Sequence, residues 1–195
     1  GAVRCDTTSV TFESCDFTSN YAGYIGGAIY IESAERSVQT FSDCAFTSNT
    51  SIGSAGAVWV AHGSVIFTGC SFEDNDADFG GGAVGTKDGT TIGFTDCSFD
   101  GNRALGGLGG ALDIDDDATL TLSGCSFTDN DAFDDEGGAV FVGRDAVAHI
   151  DDCDFISNWA DNLGGALSFY RADEISVTDC LFEGNATSGS AAALY

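Results

Sequence analysis

The chain has 195 residues, of which 31 are acidic and only 6 are Lys or Arg, so its formal net charge is -25 at pH 7. This charge repels nucleic-acid phosphates and anionic membrane surfaces, and it excludes nucleic-acid binding as a function class. No segment approaches the roughly 20 apolar residues of a membrane span, so we expect no direct membrane insertion by this segment.

A repeat runs through the whole chain, and each copy begins with a short run of alternating apolar residues. The run holds Val10 and Phe12 in the first copy and Val65 and Phe67 in the third. Alternation over so few residues is typical of a β-strand. Two polar residues then shift the phase of the alternation, which predicts a corner in the backbone.

The motif Cys-x-Phe-x-x-Asn follows this corner and occurs seven times, at intervals of 26 to 29 residues. Its cysteines are Cys15, Cys44, Cys70, Cys97, Cys125, Cys153 and Cys180. Its phenylalanines are Phe17, Phe46, Phe72, Phe99, Phe127, Phe155 and Phe182. Its asparagines are Asn20, Asn49, Asn75, Asn102, Asn130, Asn158 and Asn185. A period of this length and regularity predicts one coil of a β-solenoid per repeat.

A triplet of small residues followed by an aliphatic residue, as at residues 26–29 and 81–84, opens the third apolar run of each repeat. Three short strands and three corners per repeat predict an all-β fold, a parallel β-helix of about seven coils. With about 4.8 Å between neighbouring coils, the rod would be roughly 34 Å long. We expect residues 1–195 to form a single β-helix domain. The lack of polar capping repeats predicts that this domain is a fragment of a longer repeat protein.

In such a solenoid each core position becomes a column, and we interpret the Phe and Asn columns as structural. The phenylalanine rings should stack with an offset. The asparagine amides should hydrogen-bond from coil to coil, with the Asn backbone left-handed where a turn begins.

The cysteine column admits more than one interpretation. One cysteine per coil gives neither a Cys-x-x-Cys motif nor a His partner, so a small buried hydrophobic side chain is the favoured interpretation over a metal or redox site. Disulfides between adjacent coils remain an alternative, because stacked Cα atoms lie near the permitted distance. Cys5 belongs to another column, aligned with Ile31 and Val60.

The outward-facing position of the third strand carries four aromatic residues: Tyr30, Trp59, Phe141 and Tyr195. Aromatic side chains are enriched at interfaces and stack on flat ligands. We therefore regard these residues as candidate contacts for a protein or glycan partner at a cell surface.

Acidic loops provide weak candidate ligands for Ca²⁺, a hard ion that takes about six to eight oxygen ligands. The candidates are Asp113, Asp115, Asp151 and Asp152. No EF-hand loop or nonapeptide calcium repeat accompanies them, so a solvated acidic face is the favoured interpretation. No other cofactor is predicted.

The pairing of Phe-x-x-Asn, at residues 17–20, with Gly-Gly-Ala-Ile, at residues 26–29, resembles the repeat of the chlamydial polymorphic outer membrane proteins. The Cys-x-Phe repeat is also similar to that of large secreted right-handed parallel β-helix proteins of other bacteria. The resemblance covers essentially the whole chain. It implies a right-handed parallel β-helix, an exported passenger segment that serves adhesion, and a location at the cell surface.

The predicted fold also resembles that of pectate lyases, polygalacturonases and alginate epimerases. Such chemistry needs clustered carboxylates, usually with a basic side chain. The basic residues and histidines lie in different repeats and positions: Arg4, Arg36, Lys87, Arg103, Arg144, Arg171, His62 and His149. We therefore expect no enzymatic activity. Three carboxylates that converge with a basic residue in one cleft would change that expectation.

Together these patterns predict an extracellular or cell-surface β-solenoid with a structural or adhesive role, such as a stalk. One alternative is a filament or appendage subunit that binds copies of itself end to end, because the strand edges at the two ends of a solenoid are unpaired. A second alternative is a β-helix protein that binds or cleaves polysaccharides.

Overall fold

The computed structural model of the protein describes residues 1–6, 9–33 and 37–195, and within them it contains 28 β-strands and no helix. The strands form four parallel sheets of seven strands each. One strand from each sheet makes up one coil, so the chain winds through seven coils. The predicted all-β parallel solenoid of about seven coils is confirmed.

The four sheets are numbered in the order in which each coil visits them. Sheet 1 contains β1 (Val3–Cys5), β5 (Ile29–Glu32), β9 (Val58–His62), β13 (Val84–Thr86), β17 (Leu112–Ile114), β21 (Val140–Val142) and β25 (Leu167–Phe169). Sheet 2 contains β2 (Thr11–Glu13), β6 (Val38–Ser42), β10 (Ser64–Thr68), β14 (Thr91–Thr95), β18 (Thr119–Ser123), β22 (Val147–Asp151) and β26 (Glu174–Thr178). Sheet 3 contains β3 (Asp16–Thr18), β7 (Ala45–Thr47), β11 (Ser71–Glu73), β15 (Ser98–Asp100), β19 (Ser126–Thr128), β23 (Asp154–Ile156) and β27 (Leu181–Glu183). Sheet 4 contains β4 (Tyr21–Ala22), β8 (Thr50–Ser51), β12 (Asp76–Ala77), β16 (Arg103–Ala104), β20 (Asp131–Ala132), β24 (Trp159–Ala160) and β28 (Ala186–Thr187).

The expectation of three strands per coil was wrong, because sheet 4 adds a fourth strand of only two residues. This strand directly follows the asparagine, and its second residue points into the core. That residue is small and buried in six coils: Ala22, Ser51, Ala77, Ala104, Ala132 and Ala160. A two-residue strand is too short for apolar alternation to stand out in the sequence.

The phenylalanines of sheet 3 form one continuous column, with neighbouring rings nearly parallel and their centroids 4.6 to 5.0 Å apart. A second, shorter column on sheet 2 contains Phe12, Phe41, Phe67 and Phe94. Rings of the two columns meet edge to face at 5.2 to 6.1 Å. Offset stacking and edge-to-face contact are the two favoured aromatic geometries, so the core is aromatic along sheets 2 and 3 for four coils.

The asparagines form the predicted ladder. From Asn49 onward, each asparagine Oδ1 accepts hydrogen bonds from the main-chain N–H and the Nδ2 of the asparagine one coil earlier, as between Asn75 and Asn102 at 3.1 and 2.9 Å. Asn102 Nδ2 also donates to the main-chain oxygen of Phe72 at 3.0 Å. The ladder therefore fills the hydrogen-bonding capacity of side chains that have no solvent exposure in the five central coils.

The asparagines do not adopt the left-handed backbone that was expected of them. That conformation falls one residue earlier, at Ser48, Asp74, Asp129 and their equivalents, with φ between 51 and 54° at these three positions. The main-chain N–H of the asparagine donates along the axis to the amide of the next coil, as Asn75 does to Asn102. The turn is therefore made by the preceding residue, for which Asp, Ser and Gly are suitable.

The two glycines at the corner between sheets 4 and 1 are required for two different reasons, as coil 3 illustrates. Gly81 has φ +69°, a left-handed conformation that glycine adopts without strain. Gly82 lies so close to the next coil that a β-carbon would be 2.0 Å from the carbonyl oxygen of Gly110. The first glycine allows the turn, and the second allows the coils to approach each other.

All eight cysteines are free thiols, so the disulfide alternative is not realised in this structure. Each column thiol donates to the carbonyl two residues earlier, as Cys97 Sγ does to Thr95 at 3.3 Å. Cys5 pairs in register with Ile31, which confirms its separate column. Burial raises the pKa of Cys5 and Cys44. Cys5 and Cys44 therefore behave as small neutral core residues.

Candidate functional site

The outward-facing column of sheet 1 carries the predicted aromatic contacts. Its residues pair in register one above another: Arg4, Tyr30, Trp59, Gly85, Asp113, Phe141 and Ser168. Tyr30 is half-buried, and the guanidinium of Arg4 lies 5.0 Å from its ring centroid. Tyr195 is 55% exposed. One face of the Tyr30 ring is thus already occupied by Arg4.

Phe141 departs from the expectation of an exposed ring, because it is only 7% exposed. Glu136, in the corner loop of the same coil, reaches along this face and accepts a hydrogen bond from Ser168 Oγ at 2.9 Å. Ser168 is the in-register neighbour of Phe141, so this bridge lies beside the ring. The prediction that Phe141 is available to a partner was therefore wrong.

Trp59 lines an apolar cleft at the corner between sheets 4 and 1. Its indole covers Gly85 of the next coil, where a β-carbon would be 3.0 Å from Cε3 and Cζ3. The cleft has a volume of about 440 Å³, and Tyr24, Ile52 and Phe79 also line it. These three side chains are 76%, 48% and 58% exposed, respectively. The cleft is therefore open to solvent and built largely from hydrocarbon.

The cleft belongs to a longer apolar stripe that follows the same corner along the solenoid axis. We call it the corner stripe and define it by one exposed, large apolar side chain from each of five successive coils: Tyr24, Ile52, Phe79, Leu105 and Phe133. In the sixth coil Trp159 continues it through ring contact with Phe133, at 5.5 Å between centroids. Large apolar side chains exposed at the same corner of successive coils mark an interaction site more often than scattered exposed residues do.

Sequence reasoning missed the corner stripe, although a signal for it was present. Each of its members lies three or four residues after a ladder asparagine. The varying offset, together with the two-residue strands of sheet 4, made this stretch look like an irregular loop. The stripe becomes recognisable only when the four-stranded coil is known.

The four candidate calcium ligands lie at two separate places. Asp113 is on the outward face of β17, and Asp115 is in the turn that follows, where its Oδ1 accepts from the main-chain N–H of Asp116 at 2.9 Å. Asp151 ends β22, and Asp152 forms the next corner with φ 53°. Within residues 1–6, 9–33 and 37–195, no group of three or more His, Cys, Asp or Glu side chains is arranged to hold a metal ion.

Asp113 has a distinctive environment. Its Oδ2 lies against Gly80, where a β-carbon would be 2.1 Å away, and its in-register neighbours are Gly85 and Phe141. Burial, and then repulsion by Asp115 and Asp135, raises its pKa to about 8. A carboxyl group held among apolar neighbours is therefore largely neutral at pH 7.

A second, polar groove lies where sheets 3 and 4 meet. It has a volume of about 460 Å³, and it is lined by Arg103 and the three carboxylates Asp74, Asp76 and Asp129. Arg103 forms a bidentate ion pair with Asp76, at 2.9 and 3.1 Å. The basic residues are spread over different repeats, yet one of them, Arg103, shares this groove with three carboxylates. Arg36 lies outside the described residues.

Two more carboxyl groups adjoin this groove, and we call the whole arrangement the Arg103 groove. Asp131 is the in-register neighbour of Arg103, and burial raises its pKa, although Arg103 opposes the shift. Burial, followed by repulsion from Asp129 and Asp74, also raises the pKa of Asp100. The groove therefore combines several carboxyl groups, two of them with raised pKa, and one guanidinium.

In the part of the chain that the structure describes, no helix is long and apolar enough to cross a membrane.

The chain matches a known protein family. The family described as "Right handed beta helix region" matches residues 1–158, which is most of the chain. No curated protein and no solved structure matches significantly.

Proposed function

This chain belongs to the right-handed β-helix family, and we propose that it is a rigid, non-catalytic spacer at the cell surface or outside the cell, which adheres through the corner stripe. The family supports the right-handed coil that the sequence predicted. The core of this chain supports the proposed mechanical role, and its surface supports the proposed adhesive role.

The core supports a mechanical role. Four sheets of in-register parallel strands, a continuous Phe column and a continuous Asn ladder run the length of the solenoid. Each coil contacts mainly its neighbours, so bending the rod requires several columns to separate together. Such a body holds its surface groups at fixed intervals.

The observation that carries the adhesive role is the corner stripe. The chain has a net charge of -25, which keeps a long sheet protein soluble, yet five successive coils expose a large apolar residue along one corner. Exposing Phe79 and Tyr24 has no benefit for folding, because neither side chain packs in the core. A partner that covers them gains the burial of their apolar area.

Adhesion of coated beads tests this function. Microspheres that carry the chain should adhere to cultured cells, and Phe79→Ala combined with Trp59→Ala should reduce adhesion about tenfold, as expected for interface anchors. Ile66→Ala is the matched control, because Ile66 is 46% exposed on the outward face of sheet 2. Adhesion that is absent, or that all three substitutions leave unchanged, would contradict the proposal.

The Arg103 groove favours a second candidate function, the binding or cleavage of a polysaccharide. Cleavage of a glycosidic bond needs a protonated carboxyl group and a second, ionised one. Asp76 and Asp131 are the in-register neighbours of Arg103 on either side, and burial raises the pKa of Asp131. Release of reducing ends from neutral and uronic polysaccharides, lost in Asp131→Asn, would support this candidate. A wild-type chain that neither binds nor cleaves them would rule it out.

A further inference from the structure

We propose that the corner stripe is a docking surface for a cationic amphipathic α-helix of a partner protein. This inference deepens the adhesive function proposed above and rests on it. Three properties of the stripe identify the occupant: its charge, its spacing and the chemistry of its cleft.

The charge around the stripe selects a cationic partner. The loops at this corner, residues 23–28, 52–57, 78–83, 105–111, 133–139, 161–166 and 188–193, contain no lysine or arginine. Their acidic residues are Asp78, Asp134, Asp135, Glu136 and Asp161. Asp78 and Asp134 are each adjacent in the chain to a stripe residue and exposed. Lysine or arginine beside an apolar face would pair with these carboxylates at the rim.

The same charge argues against a second copy of this chain. Two stripes that faced each other would bring two bodies of charge -25 together along acidic rims. Like charges that are brought together at an interface cost several kcal/mol. This cost would cancel the free energy gained by burying a small apolar patch. The partner must therefore differ from this chain in charge.

The spacing of the stripe selects a helix over an extended segment. Five coils at about 4.8 Å place the first and last stripe residues about 19 Å apart along the axis. An α-helix repeats its apolar face every three or four residues, so four such steps span about 21 Å. Same-face residues of a β-strand are about 6.6 Å apart, and four steps span about 26 Å. The helix matches the stripe within about 2 Å, and the strand does not.

The cleft beneath Tyr24, Ile52 and Phe79 provides an anchor point for one apolar side chain of that helix. Its floor is the half-buried indole of Trp59, which packs on Gly85 and is held in place. Pockets of this kind accept the central anchors of an interface. Three of its six lining side chains, Ile25, Ile52 and Phe79, have no hydrogen-bonding atom. No charged side chain lines the cleft, so it offers a polyhydroxylated sugar neither a carboxylate nor a guanidinium.

A designed peptide tests the inference. The probe is a labelled peptide of about 18 residues made of leucine and lysine, with leucines at helical i, i+3, i+4 and i+7 spacing. The control peptide has the same composition in scrambled order and therefore the same charge without an apolar face. Fluorescence anisotropy measures both against the full 195-residue chain at about 0.15 M salt.

We expect the amphipathic peptide to bind at least about tenfold more tightly than the scrambled one. The double variant Tyr24→Ser and Phe79→Ser should lose about tenfold in affinity, whereas Ile66→Ser should bind like the wild type. Circular dichroism checks that each variant is folded. Both substituted side chains are more than half exposed, so the fold should survive.

Equal binding of the two peptides, or binding that the double variant does not weaken, would overturn the inference. Concentration-dependent dimers in sedimentation that the double variant abolishes would assign the stripe to a second copy and overturn it as well. Binding of a glycan at the stripe would also overturn the inference. If the beads still adhere while the peptide fails to bind, only the proposal of a helical partner is overturned. If the beads do not adhere, the proposed adhesive function is overturned as well.

Discussion

Asn102 donates from its Nδ2 to Oδ1 of Asn130 at 2.9 Å, and neither side chain is exposed to solvent. The same contact recurs between every pair of successive coils. A buried amide is stable only when its donors and acceptors are paired, so every amide of the ladder depends on its neighbours.

Replacement of Asn102 by leucine should destabilise the chain by at least about 3 kcal/mol. The substitution leaves the main-chain and side-chain donors of Asn75 without the Oδ1 acceptor and removes one hydrogen bond to the carbonyl oxygen of Phe72. Urea-induced unfolding measures the loss. Asn162→Ala, at an exposed asparagine, should cost less than about 1 kcal/mol. Similar losses in the two variants would show that the ladder contributes little.

Phe99→Ala should lower the free energy of unfolding by about 3 to 5 kcal/mol. Its ring stacks on Phe72 and Phe127 at 4.7 and 4.6 Å, and the cavity would lie between two coils that cannot collapse independently. Phe133→Ala removes the same side chain from the exposed corner stripe and should cost less than about 1 kcal/mol. Thermal unfolding of both variants provides the comparison, and equal effects would refute a packed Phe column.

Gly82→Ala should destabilise the fold by about 1 to 3 kcal/mol, because the added methyl group would overlap the carbonyl oxygen of Gly110. Gly93→Ala is the matched control: it also lies in a coil, but a β-carbon there meets no atom within 4 Å. Alanine at Gly93 should be neutral or slightly stabilising. A Gly82 variant as stable as the Gly93 variant would mean that the coils can separate at this corner.

Asp113→Asn should stabilise the chain more at high pH than at low pH. The pKa of Asp113 is raised to about 8, above its ordinary value of about 3.9. Between these values the folded chain binds more protons than the unfolded chain. The stability that Asp113 contributes is therefore complete below about pH 4 and is lost as the pH rises toward 8.

The gain from Asp113→Asn should be at least about 1.4 kcal/mol larger at about pH 8 than at about pH 4.5, which corresponds to one pKa unit. Urea unfolding at both pH values measures it. Asp78→Asn removes one exposed negative charge near the same corner and corrects for the general charge effect. A gain that does not grow with pH would show that Asp113 is ionised in the folded state.

Alkylation without reductant should modify all eight cysteines once the chain is unfolded. In the folded chain only Cys15 and Cys180, which are half-buried, should react at an appreciable rate. Mass spectrometry counts the modified thiols. Fewer than eight in the unfolded chain would indicate disulfides between neighbouring coils.

The sequence was sufficient to predict the coil, its columns and their mutual register. Phe17 and its equivalents recur at the period of one coil, and a period-two strand lets only one set of side chains face the core. It was insufficient for sheet 4, where two residues such as Asp76 and Ala77 carry no measurable alternation. It also misplaced the left-handed backbone, which lies at Asp74 and not at Asn75.

The exposure and the contacts of the surface side chains could be read only from the tertiary structure. Phe141 and Trp59 occupy the same outward column, yet Phe141 is covered beside the Glu136 bridge and Trp59 lines an open cleft. Arg103 meets Asp76 only because residues 27 positions apart lie one coil above the other. The sequence by itself determined the period and therefore the core, since core side chains repeat with the backbone. Only the tertiary structure decided which surface side chains meet, because corner loops of varying length place them from neighbouring coils.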